Sequence, residues 1–164
     1  MKEQLSRVKN MGGRLIEGRL PLVETNNDGR LEAGFKVFRN YFDPKLRNIH
    51  TWFARRPAGV ARVLTAASVL PLDTSLDVFK DIVGFTHTSR VERKKMPPLI
   101  FYTTPTRHLL ERLLVERTGK NPKDIVVVDP MAGGGSIPLE SLRLGFRTVA
   151  VEYNPVAYLI LRAT

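Results

Sequence analysis

Cysteine is absent from the 164 residues, so this chain can form neither a disulfide nor a thiolate-held metal site of its own. Long apolar runs are missing too: nothing approaches the roughly 20 consecutive apolar residues of a membrane span. No amphipathic stretch rich in exposed Trp or Phe suggests a membrane-surface anchor. The histidines, His50, His87 and His108, stand far apart without metal-ligand spacing, and no metal is expected. Residues Met1 to Asn10 are polar and charged, unlike a secretory leader, which points to a cytoplasmic protein. Acidic residues are few beside basic ones, 16 against 26, for a net charge of +10. Such an excess favours a polyanionic partner, of which nucleic acid is the commonest. The apolar share of 43% suffices for a core, and the length fits one ordinary domain or two small ones.

What is present divides near residue 95. Residues 1–95 read as a basic, mainly helical region. Leu5, Val8 and Met11 suggest a short amphipathic helix ending at Gly12-Gly13, and Phe35, Val37, Phe38, Tyr41 and Phe42 an aromatic patch. Asn26-Asn27-Asp28-Gly29 has the composition of a turn. From Pro57, Val60, Val63, Leu64 and Ala67 follow the spacing of a buried helix face, which Pro71 stops. Thr74-Ser75 would cap a second helix carrying Leu76, Phe79, Ile82 and Val83 before Gly84. Arg90, Arg93, Lys94 and Lys95 then form an exposed basic linker.

Residues 96–164 have a different character. Leu99 to Tyr102 looks extended. Thr104-Pro105 predicts a helix start, with Thr104 as cap, and Leu109, Leu110, Leu113 and Leu114 make its stripe up to Gly119. The apolar run Ile125 to Val128 predicts a strand leading into Asp129-Pro130-Met131-Ala132-Gly133-Gly134-Gly135-Ser136, then a helix ending near Gly145. A second strand, Thr148 to Val151, ends in Glu152, and Asn154-Pro155 starts another helix. Strand, glycine-rich turn, helix and strand ending in a carboxylate make half of a nucleoside-binding unit. Glycines let the backbone pass close to a ligand, and the carboxylate can take both ribose hydroxyls.

A dinucleotide fingerprint would place its third glycine where Pro138 stands, and a P-loop would need a Lys after the glycines. The spacing suits a nucleoside with an amino-acid tail and no phosphate, S-adenosylmethionine, with its methionine part beside the loop. Tyr153 could stack on the adenine or belong to the core. A glycine-rich turn in any α/β protein is the bland alternative.

These residues resemble the first motif of the amino-group DNA methyltransferases, Asp-Pro-Phe-x-Gly-x-Gly, with Met131 in place of Phe. Phe101-Tyr102-Thr103-Thr104-Pro105 is similar to the segment that enzymes of the gamma order place upstream, at the methionine end of the cofactor. Arg14 to Glu17 with Leu20-Pro21-Leu22, and His50 to Pro57, are similar to one family in particular. It comprises the large adenine-specific DNA methylases that open with a tryptophan-alanine-arginine-arginine-proline domain, and Ile137 to Glu140 and Asn154 to Ala157 match it too. The likeness covers residues from about 14 onward. It implies a partial class I, Rossmann-like methyltransferase sheet behind a helical region. It also implies a cofactor site of Thr103, Thr104, Pro105, Asp129, Pro130, Ala132, Gly133, Gly135, Glu152, Tyr153 and Asn154.

Trp52, Arg55 and Arg56 could contact DNA by stacking and phosphate or guanine bonds, or be a core Trp and two paired arginines. The polar-Pro-Pro-aromatic loop that holds the target amine in this enzyme class is absent from the sequence. Met96-Pro97-Pro98-Leu99 has its prolines, but neither its acceptor nor its ring. No catalytic residue is therefore assigned. The expectation is a cofactor-binding subunit or fragment whose sheet and catalytic loop come from a second chain, acting on DNA. A nonenzymatic nucleic-acid-binding module with a vestigial pocket and an RNA methyltransferase subunit are the alternatives.

Overall fold

The computed structural model describes residues 13–34, 57–87, 100 and 103–163. The expected helix before Gly13, the aromatic patch at residues 35–42, the Trp52–Arg56 segment and the basic linker lie outside them. Among the described residues the chain is mixed α/β, mostly helical around a small parallel sheet. Six α-helices are seen: α1 Leu22–Gly34, α2 Ala58–Val69, α3 Leu76–Val83, α4 Arg107–Thr118, α5 Ser136–Leu144 and α6 Pro155–Ala163. Strands β1 Val126–Asp129 and β2 Arg147–Ala150 pair in parallel, Val126 opposite Arg147 and Asp129 opposite Ala150. None of the described helices is long and apolar enough to cross a membrane.

Local signals explain the second half of the chain. Both strands are short and β-branched, and α5 crosses between them, as parallel pairing requires. Pro138 sits in the first turn of α5, where a missing N–H costs no intrahelical bond. Gly84, Gly119 and Gly145 end α3, α4 and α5 in the left-handed conformation, as their places in the sequence predict. The leucine stripe of α4 also holds: Leu110 and Leu114 are buried, with Leu109 and Leu113 packed against the core. That core runs through both halves, with Leu15, Val63, Leu70 and Phe79 beside Leu114, Leu144 and Phe146.

The first half departs from expectation in ways that matter for the site. Asn26-Asn27-Asp28-Gly29 is no turn but lies inside α1. Tertiary bonds override its local chemistry: the Asp28 carboxylate accepts the Ile100 N–H at 2.8 Å. Four residues on, Glu32 accepts the N–H groups of Ala58 and Gly59 at 2.7 and 3.0 Å, capping α2 from another helix. The two helices cross so closely that a Cβ at Gly59 would stand 2.1 Å from an Asp28 carboxylate oxygen.

On α2, Val63 and Ala67 are buried as expected, but Leu64 is 41% exposed. The covered face consists instead of Ala58, Gly59, Ala61, Ala66 and the whole of Arg62, because α1 and α5 both approach at short range. Of the run expected to be extended, Leu99 to Tyr102, all but Ile100 lie outside the described residues; the Ile100 carbonyl accepts the Thr103 N–H at 3.0 Å. Thr104 does not cap α4, which starts at Arg107 with Thr106 at the cap position. The Thr106 hydroxyl donates to the Asp81 carbonyl at 3.0 Å, tying the start of α4 to α3.

Candidate functional site: the glycine turn and Glu152

The site is built where the two strands end. Asp129, last residue of β1, is buried, and its carboxylate accepts the Met131 N–H at 3.2 Å, the local bond that makes Asp a turn former. Its carbonyl accepts the Val151 N–H at 2.8 Å, and the Val151 carbonyl accepts the Ala132 N–H at 3.0 Å. Ladder-like bonding thus continues past both strands and fastens the turn to the end of β2. Gly135 has φ +79°, and a Cβ there would lie 2.9 Å from the Leu161 side chain of α6. A side chain is excluded twice over, by conformation and by space.

Glu152 closes the turn from the opposite side. One carboxylate oxygen accepts the Gly133 N–H at 2.6 Å and the other the Asn154 N–H at 2.9 Å. These backbone bonds, Asn154 first and Gly133 second, hold the carboxyl below the usual glutamate range against a small desolvation effect. The group is ionised at neutral pH. Backbone N–H groups of Asn154, Gly133 and, to a smaller degree, Tyr153 bond the carboxylate, which leaves part of its roughly four acceptor sites for hydroxyl donors. The Asn154 side chain accepts the Val156 N–H at 2.9 Å and the Ala157 N–H at 3.5 Å, capping α6.

The structure therefore joins Asp129, Ala132, Gly133, Gly135, Glu152 and Asn154 in one bonded cluster. Pro130 and Tyr153 flank it, and Tyr153 is 100% exposed, so its ring is not part of the core. Thr103 and Pro105 are buried and Thr104 is exposed. The Thr103 hydroxyl donates to the Ile100 carbonyl at 2.6 Å and sits 3.2 Å from Arg62. Trp52, Arg55 and Arg56 lie outside the described residues.

Sequence reasoning missed Arg62, Glu140 and Asp28. Arg62 Nε donates to Glu140 at 2.5 Å with both side chains fully buried. Burial pushes the Arg62 pKa down, while Glu140 acts in the opposite sense. Glu140 also accepts from Arg143 at 2.7 Å. One signal was available: Arg62 adjoins Val63 and precedes Ala66 by four residues, which puts it on the buried side of an otherwise apolar helix.

A further feature is a sheet face that stays exposed among the described residues. α5 covers one side of the pair, whereas Val126, Val128, Val149 and Val151 on the other are 46–59% exposed. No family model, no curated protein and no solved structure matches the chain.

Proposed function

We propose that this chain is the cofactor-binding part of an S-adenosylmethionine-dependent DNA amino-methyltransferase acting at adenine N6. One observation carries the reading. An ionised carboxylate stands two residues beyond β2 and is bonded across to the glycine turn that follows β1, with acceptor capacity left for a vicinal diol. The residues fit the cofactor. Gly135 leaves the turn without a side chain, Glu152 would take the ribose hydroxyls, and the exposed Tyr153 ring would lie against adenine. Asp129 with Gly133 and Gly135 would line the methionine part. The bound cofactor would supply an electrophilic methyl group; the residues described here would bind and orient it.

Replacing Glu152 with alanine is the direct test. The variant is expected to bind S-adenosylhomocysteine about tenfold to a hundredfold more weakly, the usual effect of losing charge-assisted hydrogen bonds. Calorimetry on wild type and variant reads this, and equal affinities would move the ribose site elsewhere. Tight NADH binding by the wild type would end the assignment.

Two further elements belong to the same proposal. The exposed valine face and the lack of a Pro-Pro-aromatic loop in these 164 residues support further polypeptide, whether a second chain or more of a longer one, that adds strands, covers this face and brings the loop. Strand edges in soluble proteins are normally covered or charged, and a permanent interface of this kind exceeds roughly 2,000 Å². The chain of 164 residues expressed alone is expected to transfer no methyl groups to DNA. A well-behaved monomer on size exclusion that methylates DNA unaided would overturn this element.

DNA as substrate rests on the +10 charge and the Trp52-to-Arg56 segment. Replacing Arg55 and Arg56 together is expected to reduce the salt dependence of DNA binding by up to about two units of log–log slope. An unchanged slope in a folded double variant would make both arginines structural.

A further inference from the structure

We infer that Arg62 is a positioning residue for the candidate cofactor site, clamping Ile100 and the 103–106 segment against the helix that the glycine turn opens. The guanidinium belongs to α2, remote in sequence from both. Its Nη1 lies 2.6 Å from the Ile100 carbonyl, 3.0 Å from that of Val83 and 3.2 Å from that of Thr103. Its Nε holds Glu140, midway along α5. Arg143, one turn further along α5, donates to the same Thr103 carbonyl at 2.7 Å. A single planar fork thus joins Val83 at the end of α3, Ile100, Thr103 and Glu140 of α5.

Geometry makes the arrangement specific to arginine. Lysine carries the same charge as a compact point on a flexible stem and cannot serve a carboxylate and carbonyls from three segments at once. The space is tight as well: a Cβ at Gly84 would stand 2.2 Å from the Thr103 hydroxyl and 3.5 Å from Arg62 Nη1. With the clamp intact, Thr103 is fixed relative to α5, and through α5 relative to Gly133 and Gly135. Without it, α5 still holds the Thr103 carbonyl through Arg143 and α3 still holds Thr106, but the bonds that join Val83, Ile100 and Thr103 to Glu140 through one group are lost.

The test is amide hydrogen exchange resolved by residue on the full chain, wild type against Arg62→Lys. Four amides report: Thr103, bonded to the Ile100 carbonyl; Thr106, bonded to that of Ile82; Gly133, bonded to Glu152; and Gly135, bonded to Ala132. All four are expected to exchange at least about tenfold faster in Arg62→Lys. The Phe79 and Gly119 amides, bonded within α3 and at the end of α4, keep their wild-type rates. Uniform acceleration of all six would show a merely stabilising role, and acceleration of one segment alone would show no clamp; either overturns the inference. Should Arg62→Lys not fold, Glu140→Gln gives the same readout with the same shape retained, and the same paired acceleration is expected.

The ligand arm rests on the cofactor reading and is scored separately. Wild type that fails to bind S-adenosylhomocysteine defeats that reading, while the exchange data still decide the clamp. Where wild type binds, Arg62→Lys is expected to raise Kd about tenfold, and Arg117→Ala, which breaks only the surface pair with Asp73, to leave it unchanged. Equal affinity of Arg62→Lys and wild type would overturn the positioning role.

Discussion

Glu140→Leu is expected to lower the unfolding free energy by about 3–5 kcal/mol, the usual cost of removing one partner from a buried ion pair. Wild-type Glu140 is fully buried and serves two arginines, Arg62 at 2.5 Å and Arg143 at 2.7 Å. Without it, the Arg62 guanidinium stays in the interior facing carbonyl dipoles and the charge of nearby Asp28, with no carboxylate bonded to it. Its Nη2 has no hydrogen-bond partner among the described residues even in the wild type, so the site has little spare capacity. Urea titration reads the effect as a lower midpoint at constant slope. The double variant Arg62→Met with Glu140→Leu is expected to recover most of the loss, since two charges no longer need to leave water. A cost under about 1 kcal/mol for Glu140→Leu alone would mean that water reaches the pair, contrary to its burial.

Asp28 gives the second large effect, through pH. Its carboxyl is 3% exposed, and burial raises its pKa to about 6, against the lowering effect of the Ile100 N–H. Glu32 and Glu140 nearby add to the rise, and Arg62 opposes it. One carboxylate oxygen has no hydrogen-bond partner among the described residues. A folded-state pKa above the unfolded value of 3.8 means that the native state binds the proton more tightly. The resulting stability is complete below about pH 4 and is lost as pH rises through about 6. At about 1.36 kcal/mol per pKa unit, the group contributes a fall of about 3 kcal/mol across that window. Asp28→Asn, which retains an acceptor for Ile100, is expected to flatten this part of the pH–stability curve. An identical pH dependence in wild type and variant would place the proton elsewhere.

The glycine-turn unit was readable because its signals are local. Glycines, a proline in the first helical turn and two β-branched runs act within a few residues of where they stand, and the structure puts both strands within one residue of the expected bounds. The α1 region was not readable for the opposite reason. Asn26 to Gly29 reads as a turn until the Asp28–Ile100 bond is known, and Glu32 is an ordinary surface acid until α2 brings its N-terminus. Thr104-Pro105 misled similarly. Threonine before proline is a sound helix-start signal, yet Thr106 is anchored to Asp81 and Ile82, and α4 begins beyond it. Within the site, Glu152 was expected as a ligand group only, and its bond to Gly133 links residues 19 positions apart.

The separations of these bonds set an order of assembly. The Gly133–Glu152 bond spans 19 residues, whereas Asp28–Ile100 and Arg62–Glu140 span 72 and 78. Closing a flexible loop costs about 0.6 kcal/mol more for each doubling of its length, so β1, the turn, α5 and β2 can come together while α1 and α2 are still undocked. Glu140 then waits in water on the face that α2 will cover, and a helix without a matching guanidinium would bury it with Arg143 as its one charged partner. Folding of the turn comes early, its desolvation late, and unfolding should start where the two charges meet.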